Sequence, residues 1–177
     1  EAVREVAGWY GAWPLWAALG FSLASPFMSR ADVRRNPVVY LAGDSNSGKT
    51  SAAFFAQGAW VAPGERPFVL QGMHTTAKGI EQTLEELGGL PALIDEAHSV
   101  PDPARLERAV YSFANGQTYT RGGRDGRARG GVSIGGALLL AGEAVAEFKH
   151  AGSRNRVLYL DADTFPLLGV DAPRGSV

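Results

Sequence analysis

The stretch Gly43-Asp44-Ser45-Asn46-Ser47-Gly48-Lys49-Thr50 constrains this chain more than any other part of it. It fits G-x-x-x-x-G-K-[ST] at every position. A loop of that composition turns tightly, so that successive backbone N–H groups point into one concavity and hold phosphate oxygens. The helix that follows aims its N-terminus at the same anion. Lys49 is expected to neutralise the β- and γ-phosphates of ATP, and the Thr50 hydroxyl to ligate Mg²⁺. The expected nucleotide-binding set is therefore Gly43, Asp44, Ser45, Asn46, Ser47, Gly48, Lys49, Thr50 and the adjoining Ser51.

Context separates this match from a chance Gly/Ser turn. The apolar run Val38-Val39-Tyr40-Leu41-Ala42, entered through Pro37, reads as a buried strand, and residues 48–57 read as a helix. The chain has only three lysines, and one of them stands in the motif.

A phosphate loop needs a carboxylate partner to complete the Mg²⁺ site and to activate water. Leu90-Pro91-Ala92-Leu93-Ile94-Asp95-Glu96 supplies one, as an apolar strand that ends in two acids. Asp95 is expected to hold Mg²⁺, through water, and Glu96 to act as general base. A pair of acids favours hydrolysis over phosphoryl transfer to a small substrate. The letters Asp95-Glu96-Ala97-His98 also resemble the DEAH box of superfamily 2 helicases. Those enzymes need two RecA-like domains in one chain and separate the two motifs more widely, so His98 is read as a loop residue.

The remaining pattern alternates strands with helices. Residues 68–70, 137–141 and 156–160 are further strand candidates. Residues 76–87 form a helix with Ile80, Leu84 and Leu87 on one face, stopped by Gly88-Gly89. Residues 103–114 form another, with Pro103 in its first turn and Leu106, Val110 and Phe113 on one face. Residues 116–131 are rich in Gly and Arg and suit a hairpin or a mobile loop. The fold class expected is α/β, a P-loop NTPase with a mostly parallel central sheet covered by helices.

Composition bounds the rest. With 177 residues, 45% hydrophobic and 20% charged, the chain suits one globular domain. A net charge of −1 gives no global basic field for nucleic acid. The absence of cysteine excludes disulfides, zinc–thiolate sites and cysteine nucleophiles. The chain begins with Glu1, which reads as a piece of something longer, and no basic region suggests a signal peptide. The apolar stretch 10–28 has the length of a membrane span, but it contains Pro14, Gly20, Ser22, Ser25 and Pro26 and is rich in Trp. A buried or interface helix is the favoured reading, and no membrane is expected. A cytoplasmic location is the expectation for a nucleotide-dependent protein.

The second half carries a more specific likeness. Its segments are Ala114-Asn115-Gly116-Gln117, then Arg121 and Arg124-Asp125-Gly126, then Leu138-Leu139-Leu140-Ala141-Gly142-Glu143, and finally Arg156-Val157-Leu158-Tyr159-Leu160-Asp161. Together they resemble the phage- and plasmid-associated ATPases of the domain of unknown function 927 family, over about residues 15–165. That family looks like superfamily 3 helicases within the AAA+ class, often fused to or encoded near primase modules. The resemblance implies an AAA+-like, DNA-translocating ATPase assembled as a hexameric ring on single-stranded or forked DNA. One departure is the residue that ends the sensor strand, Glu143 where an Asn is usual. A carboxylate repels a γ-phosphate, so Glu143 is expected to orient water, to pair with an arginine, or simply to be a first-turn helix acid.

The resemblance also gives arginines roles. ATPase rings insert an arginine from the neighbouring subunit against the γ-phosphate. Arg154 and Arg156 precede a strand downstream of the sensor strand, and Arg156 matches the family's arginine. The alternative is a surface ion pair. Tyr119, Arg121, Arg124, Arg127 and Arg129 fall where superfamily 3 proteins carry a channel hairpin that grips DNA. Arginines there would contact phosphates, and Tyr119 would stack on a base. The alternative is a solvated basic loop. The expected organisation is an N-terminal helical segment over 1–36 packed on the ATPase core, the core itself over 37–165, and a tail over 166–177. Rival functions are a regulatory or assembly P-loop ATPase without helicase activity and, less favoured, a small-molecule kinase.

Overall fold

Among the described residues five parallel strands form the centre of the molecule, in the spatial order 69–71, 92–95, 138–142, 38–42 and 157–161. The computed structural model describes residues 13–28, 35–62, 69–116, 121–122, 128–129, 134–143 and 148–161. Along the chain the elements are α1 (Trp13–Met28), β1 (Val38–Ala42), α2 (Lys49–Gly58), β2 (Val69–Gln71), α3 (Ala77–Leu87), β3 (Ala92–Asp95) and α4 (Pro103–Ala114). A two-stranded antiparallel hairpin, β4 (Arg121–Gly122) with β5 (Ala128–Arg129), comes next. β6 (Leu138–Gly142), α5 (Ala151–Arg154) and β7 (Val157–Asp161) complete it. Single 3₁₀ turns lie at Gly72–His74 and Ala97–Ser99.

Alternation along the strands divides the core into two layers. On β1, Val38 and Tyr40 join a cluster with Ile80 and Leu84 of α3 and Leu106, Val110 and Phe113 of α4. Val39 and Leu41 face the other way, onto Leu15 and Ala18 of α1 and Ala52, Ala53 and Ala56 of α2. A parallel sheet buried on both faces explains why these strands read as continuous apolar runs. Each such Val, Leu or Ile contributes about 1.5–3 kcal/mol by leaving water.

The helix ends follow from their residues. The Thr76 side chain accepts the Gly79 N–H at 3.1 Å to start α3, and Gly88 stops that helix in the left-handed region at φ 58°. Asp102 caps α4 through the Arg105 N–H, with Pro103 at the first helical position.

Two prolines stand within α1, and Pro26 does not end it. Pro14 lies in the first turn of α1, where no N–H is needed. Pro26 removes the N–H that the Ser22 carbonyl would otherwise accept, and the Trp60 indole donates to that carbonyl instead, at 3.1 Å. The buried face of α1 runs through Leu15, Ala18, Ser22 and Ser25. Its two serines are bonded across the interface. Ser22 donates to the Ala56 carbonyl, while Ser25 donates to Gly89 O and accepts the Ala137 N–H, both at 2.7 Å. Among the described residues no helix is long and apolar enough to cross a membrane.

Strand boundaries shift by one or two residues. β3 starts at Ala92 rather than Leu90, because the Leu90 N–H closes a turn onto Leu87 O and Pro91 has no N–H for a ladder. The Gly/Arg-rich stretch contains a hairpin, and the short helix α5 was not anticipated. The tail over 166–177 lies outside the described residues.

Candidate functional site

In a parallel sheet all strands end on one edge, and the loops there form the usual ligand crevice. β1 runs into the phosphate loop, β3 ends in Asp95 and Glu96, and β6 ends at Gly142 before Glu143. Together these loops line a cleft of about 540 Å³. Of the expected residues, Ser45, Asn46, Gly48, Lys49, Thr50, Ser51, Asp95, Glu96 and Glu143 all face it, joined by Met73, His98 and Ser99. Gly43, Asp44 and Ser47 complete the loop.

The loop has the backbone its composition implies. Asn46 (φ 62°) and Gly48 (φ 89°) adopt left-handed conformations, which turn the chain sharply into α2. The Ser47 N–H closes the turn onto Asp44 O at 3.2 Å. Lys49 is nearly buried, and its ammonium donates to Asp44 O and to the Ser47 hydroxyl at 3.3 Å. The charge is thereby held over the loop.

Thr50 and Asp95 meet although 45 residues separate them. The Thr50 hydroxyl lies 3.1 and 3.3 Å from the two Asp95 carboxylate oxygens. One hydroxyl and one carboxylate, side by side, are hard oxygen donors of the kind Mg²⁺ takes, with phosphate and water filling its remaining positions. Among the described residues no group of three or more His, Cys, Asp and Glu gathers.

Glu96 stands beside that pair in a backbone conformation unusual for its type. Its φ is 50°, in the left-handed region, which costs roughly 1–3 kcal/mol for a residue with a side chain. The surroundings hold it there. Its carbonyl accepts from the Ser99 N–H (2.8 Å) and hydroxyl (2.7 Å), and its own N–H donates to Asp95 Oδ1 at 3.0 Å. Gly72 passes so close that a Cβ would lie 2.1 Å from Glu96 O. The Glu96 side chain is exposed to the cleft.

Glu143 is exposed at the cleft rim, and its N–H donates to His98 Nδ1 at 3.3 Å. Whether it caps a helix falls outside the described residues, since 144–147 are not among them. Sequence reasoning read His98 as a loop residue, which its 3₁₀ turn bears out, but did not place it at the cleft. It also passed over Met73, Ser99 and Gly72, for which single residues in a turn carry no motif.

Arg154 and Arg156 lie elsewhere. Val157 pairs with Val38, so both arginines flank the edge where β1 begins, about 16 Å of strand away from the loop at its end. Arg154 donates to the carbonyls of Phe148 (3.1 Å) and Lys149 (3.3 Å). Arg156 stacks over the Tyr111 ring at 4.3 Å, and donates to Asn115 Oδ1 (3.1 Å) and Gly152 O (2.5 Å). It borders a second cavity of about 290 Å³ with Arg35, Asn36 and Asn155. Beside it, Glu107 of α4 is buried and accepts the N–H groups of Lys149 (3.2 Å) and His150 (2.8 Å). Burial pushes the Glu107 carboxyl up, but the hydrogen bonds from His150, Ser153 and Lys149, with the His150 charge, outweigh it. The carboxyl is held below its ordinary value.

Arg121 and Arg129 are paired across the β4–β5 hairpin by their backbones. Tyr119, Arg124 and Arg127 lie outside the described residues.

Comparison with known proteins agrees with this architecture. The family model described as "Domain of unknown function (DUF927)" matches residues 11–132. No curated protein matches the chain. Among solved structures, "SCCmec type IV Cch - active helicase" is similar at 19% identity, over 83% of this chain and 27% of that one, with a TM-score of 0.55. The "S. cerevisiae Hsp104-ADP complex" is similar at 13% identity, over 96% of this chain and 36% of that one, with a TM-score of 0.56. The chain thus spans about a quarter to a third of the length of these structures. At such identities the likeness is one of fold, and that fold is the α/β, AAA+-like P-loop ATPase architecture.

Proposed function

The chain belongs to the family described as Domain of unknown function (DUF927), and from that premise we propose that it is a Mg²⁺-dependent ATPase of the superfamily 3-like kind. Its work is translocation along DNA as a ring, and its ATP sites are shared between subunits. The observation that carries the hydrolytic part is the meeting of Thr50 and Asp95 at 3.1 Å, between Lys49 and Glu96.

The residues divide the work. Backbone N–H groups of the loop and the Lys49 ammonium hold the β- and γ-phosphates of ATP. Thr50 and Asp95 hold Mg²⁺, which supplies charge neutralisation at the phosphate oxygens. Glu96, aimed into the cleft on its fixed turn, takes a proton from the attacking water. The placement of Arg154 and Arg156 far from their own subunit's loop supports a reading in which they act on a neighbour's nucleotide. Arg121, Arg124, Arg127 and Arg129 are assigned to the DNA backbone, and Tyr119 to stacking on a base.

A second reading has one observation in its favour. Arg156 is already engaged by Tyr111, Asn115 and Gly152 within its own chain, as a structural arginine would be. That suits a regulatory or assembly ATPase that does not unwind DNA. Turnover of ATP with and without single-stranded DNA separates the two. A several-fold, salt-sensitive stimulation supports the translocase, and an unchanged rate supports the alternative.

A further inference from the structure

The hydrolytic scheme leaves His98 without a task, yet the end of β6 comes close against its ring. The 3₁₀ turn Ala97–Ser99 follows Glu96 directly. It carries the imidazole to the end of β6, where Nδ1 accepts the Glu143 N–H at 3.3 Å. Since Nδ1 accepts, the ring proton sits on Nε2. Gly142 gives an independent sign of the same fit. A Cβ there would lie 2.9 Å from His98 Nδ1 and 2.6 Å from the Tyr40 hydroxyl, closer than real Cβ contacts come. The strand therefore ends in a residue without a side chain where the ring arrives.

The turn that bears His98 is itself fixed. Its first residue is Glu96, held in the left-handed region by the two Ser99 hydrogen bonds and by the backbone of Gly72. Glu96 and His98 thus sit on one rigid turn, two residues apart. Both line the cleft, and His98 is also bonded to the strand end across it.

We propose that His98 is a positioning residue that joins the Glu96 turn to the end of β6, keeping the general base and Glu143 at a set spacing across the nucleotide cleft. The proposal rests on the reading of that cleft as an ATP-hydrolysing site. His98 touches neither phosphate nor water in this scheme. Its loss acts on the rate of the chemical step and not on nucleotide capture.

Two variants and one spectroscopic signature test it. In His98→Ala, kcat for ATP falls about tenfold, the rate equivalent of one lost hydrogen bond, while KM stays within about twofold. His98→Asn offers an amide oxygen in place of Nδ1 and recovers most of the rate. In the nucleotide-free protein, nitrogen NMR shows the Nε2–H tautomer at His98, and the Glu143 amide resonance moves in His98→Ala and returns towards its position in His98→Asn. A wild-type kcat in His98→Ala, an unmoved Glu143 amide, or an Asn variant as slow as the Ala variant would overturn the proposal. A parent chain that hydrolyses no ATP defeats the functional reading instead, and the tautomer and amide shift then decide the His98–Glu143 link alone.

Discussion

At the edge where the strands end, polar groups face outward. Ser45, Asn46, Glu96 and Glu143 are exposed, and three backbone positions there, Asn46, Gly48 and Glu96, are left-handed. At the edge where β1 and β7 begin, polar groups face inward onto partners. Asn36 is 4% exposed, its amide donates to Phe113 O (2.8 Å) and Ile134 O (2.7 Å), and its N–H donates to Ala114 O at 3.0 Å. Arg156 and Glu107 are similarly engaged by neighbouring backbone and side chains. The contrast separates two uses of polarity in one sheet. Groups that the chain satisfies internally hold the fold together, and groups that it turns towards solvent are placed for a ligand.

The contrast breaks if substitutions at the two edges have the same kind of effect. The largest change belongs to Lys49→Ala, which removes the ammonium held over the loop. ATP turnover is expected to fall by at least about a hundredfold, with little change in Tm; undiminished turnover would remove the site assignment. Asn36→Ala should do the reverse. It removes one of the hydrogen bonds to Phe113 O, which keeps the Gly116 N–H, and strips Ile134 O of its amide donor. It lowers stability by about 1–3 kcal/mol and Tm by roughly 2–12 °C, and leaves ATP affinity as it was. Calorimetry with a nucleotide titration checks both halves.

Glu107→Gln is the subtler case at the inward-facing side. The folded carboxyl lies below its ordinary value, so its stabilisation is present at neutral pH and is lost as pH falls through that depressed value. The variant should cost about 1–2 kcal/mol at pH 7 and nothing below the glutamate range. A penalty that persists unchanged into acid would show that the charge is not what matters.

These two regions were unequally legible in the sequence. The phosphate loop and the Asp95-Glu96 strand end could be read because their chemistry needs particular residue types at short, local spacing. The strands and the faces of α3 and α4 were visible through periodicity. The order β2-β3-β6-β1-β7 was not, since fully buried strands look alike and nothing local specifies a neighbour. The inward-facing edge was hidden for a related reason. Asn36 and Ser25 look like loop or solvent residues, and only contacts 64–112 residues away make them core. His98 was read only as a loop residue and Gly142 only as part of a strand end, because their significance is a contact between two segments far apart in sequence. Arg156 was noticed through its match to the family's arginine, while its partners Tyr111 and Asn115 lie at the end of α4, more than 40 residues away.

The central claim is that Glu96, on its constrained turn beside Thr50 and Asp95, activates water for ATP hydrolysis. Single-turnover hydrolysis in Glu96→Gln, measured alongside Mg²⁺-dependent ATP binding, tests it most directly. The account predicts binding close to that of the unaltered chain and a chemical step slowed by about a hundredfold or more. Hydrolysis at the unaltered rate, or ATP binding indifferent to Mg²⁺, would contradict it.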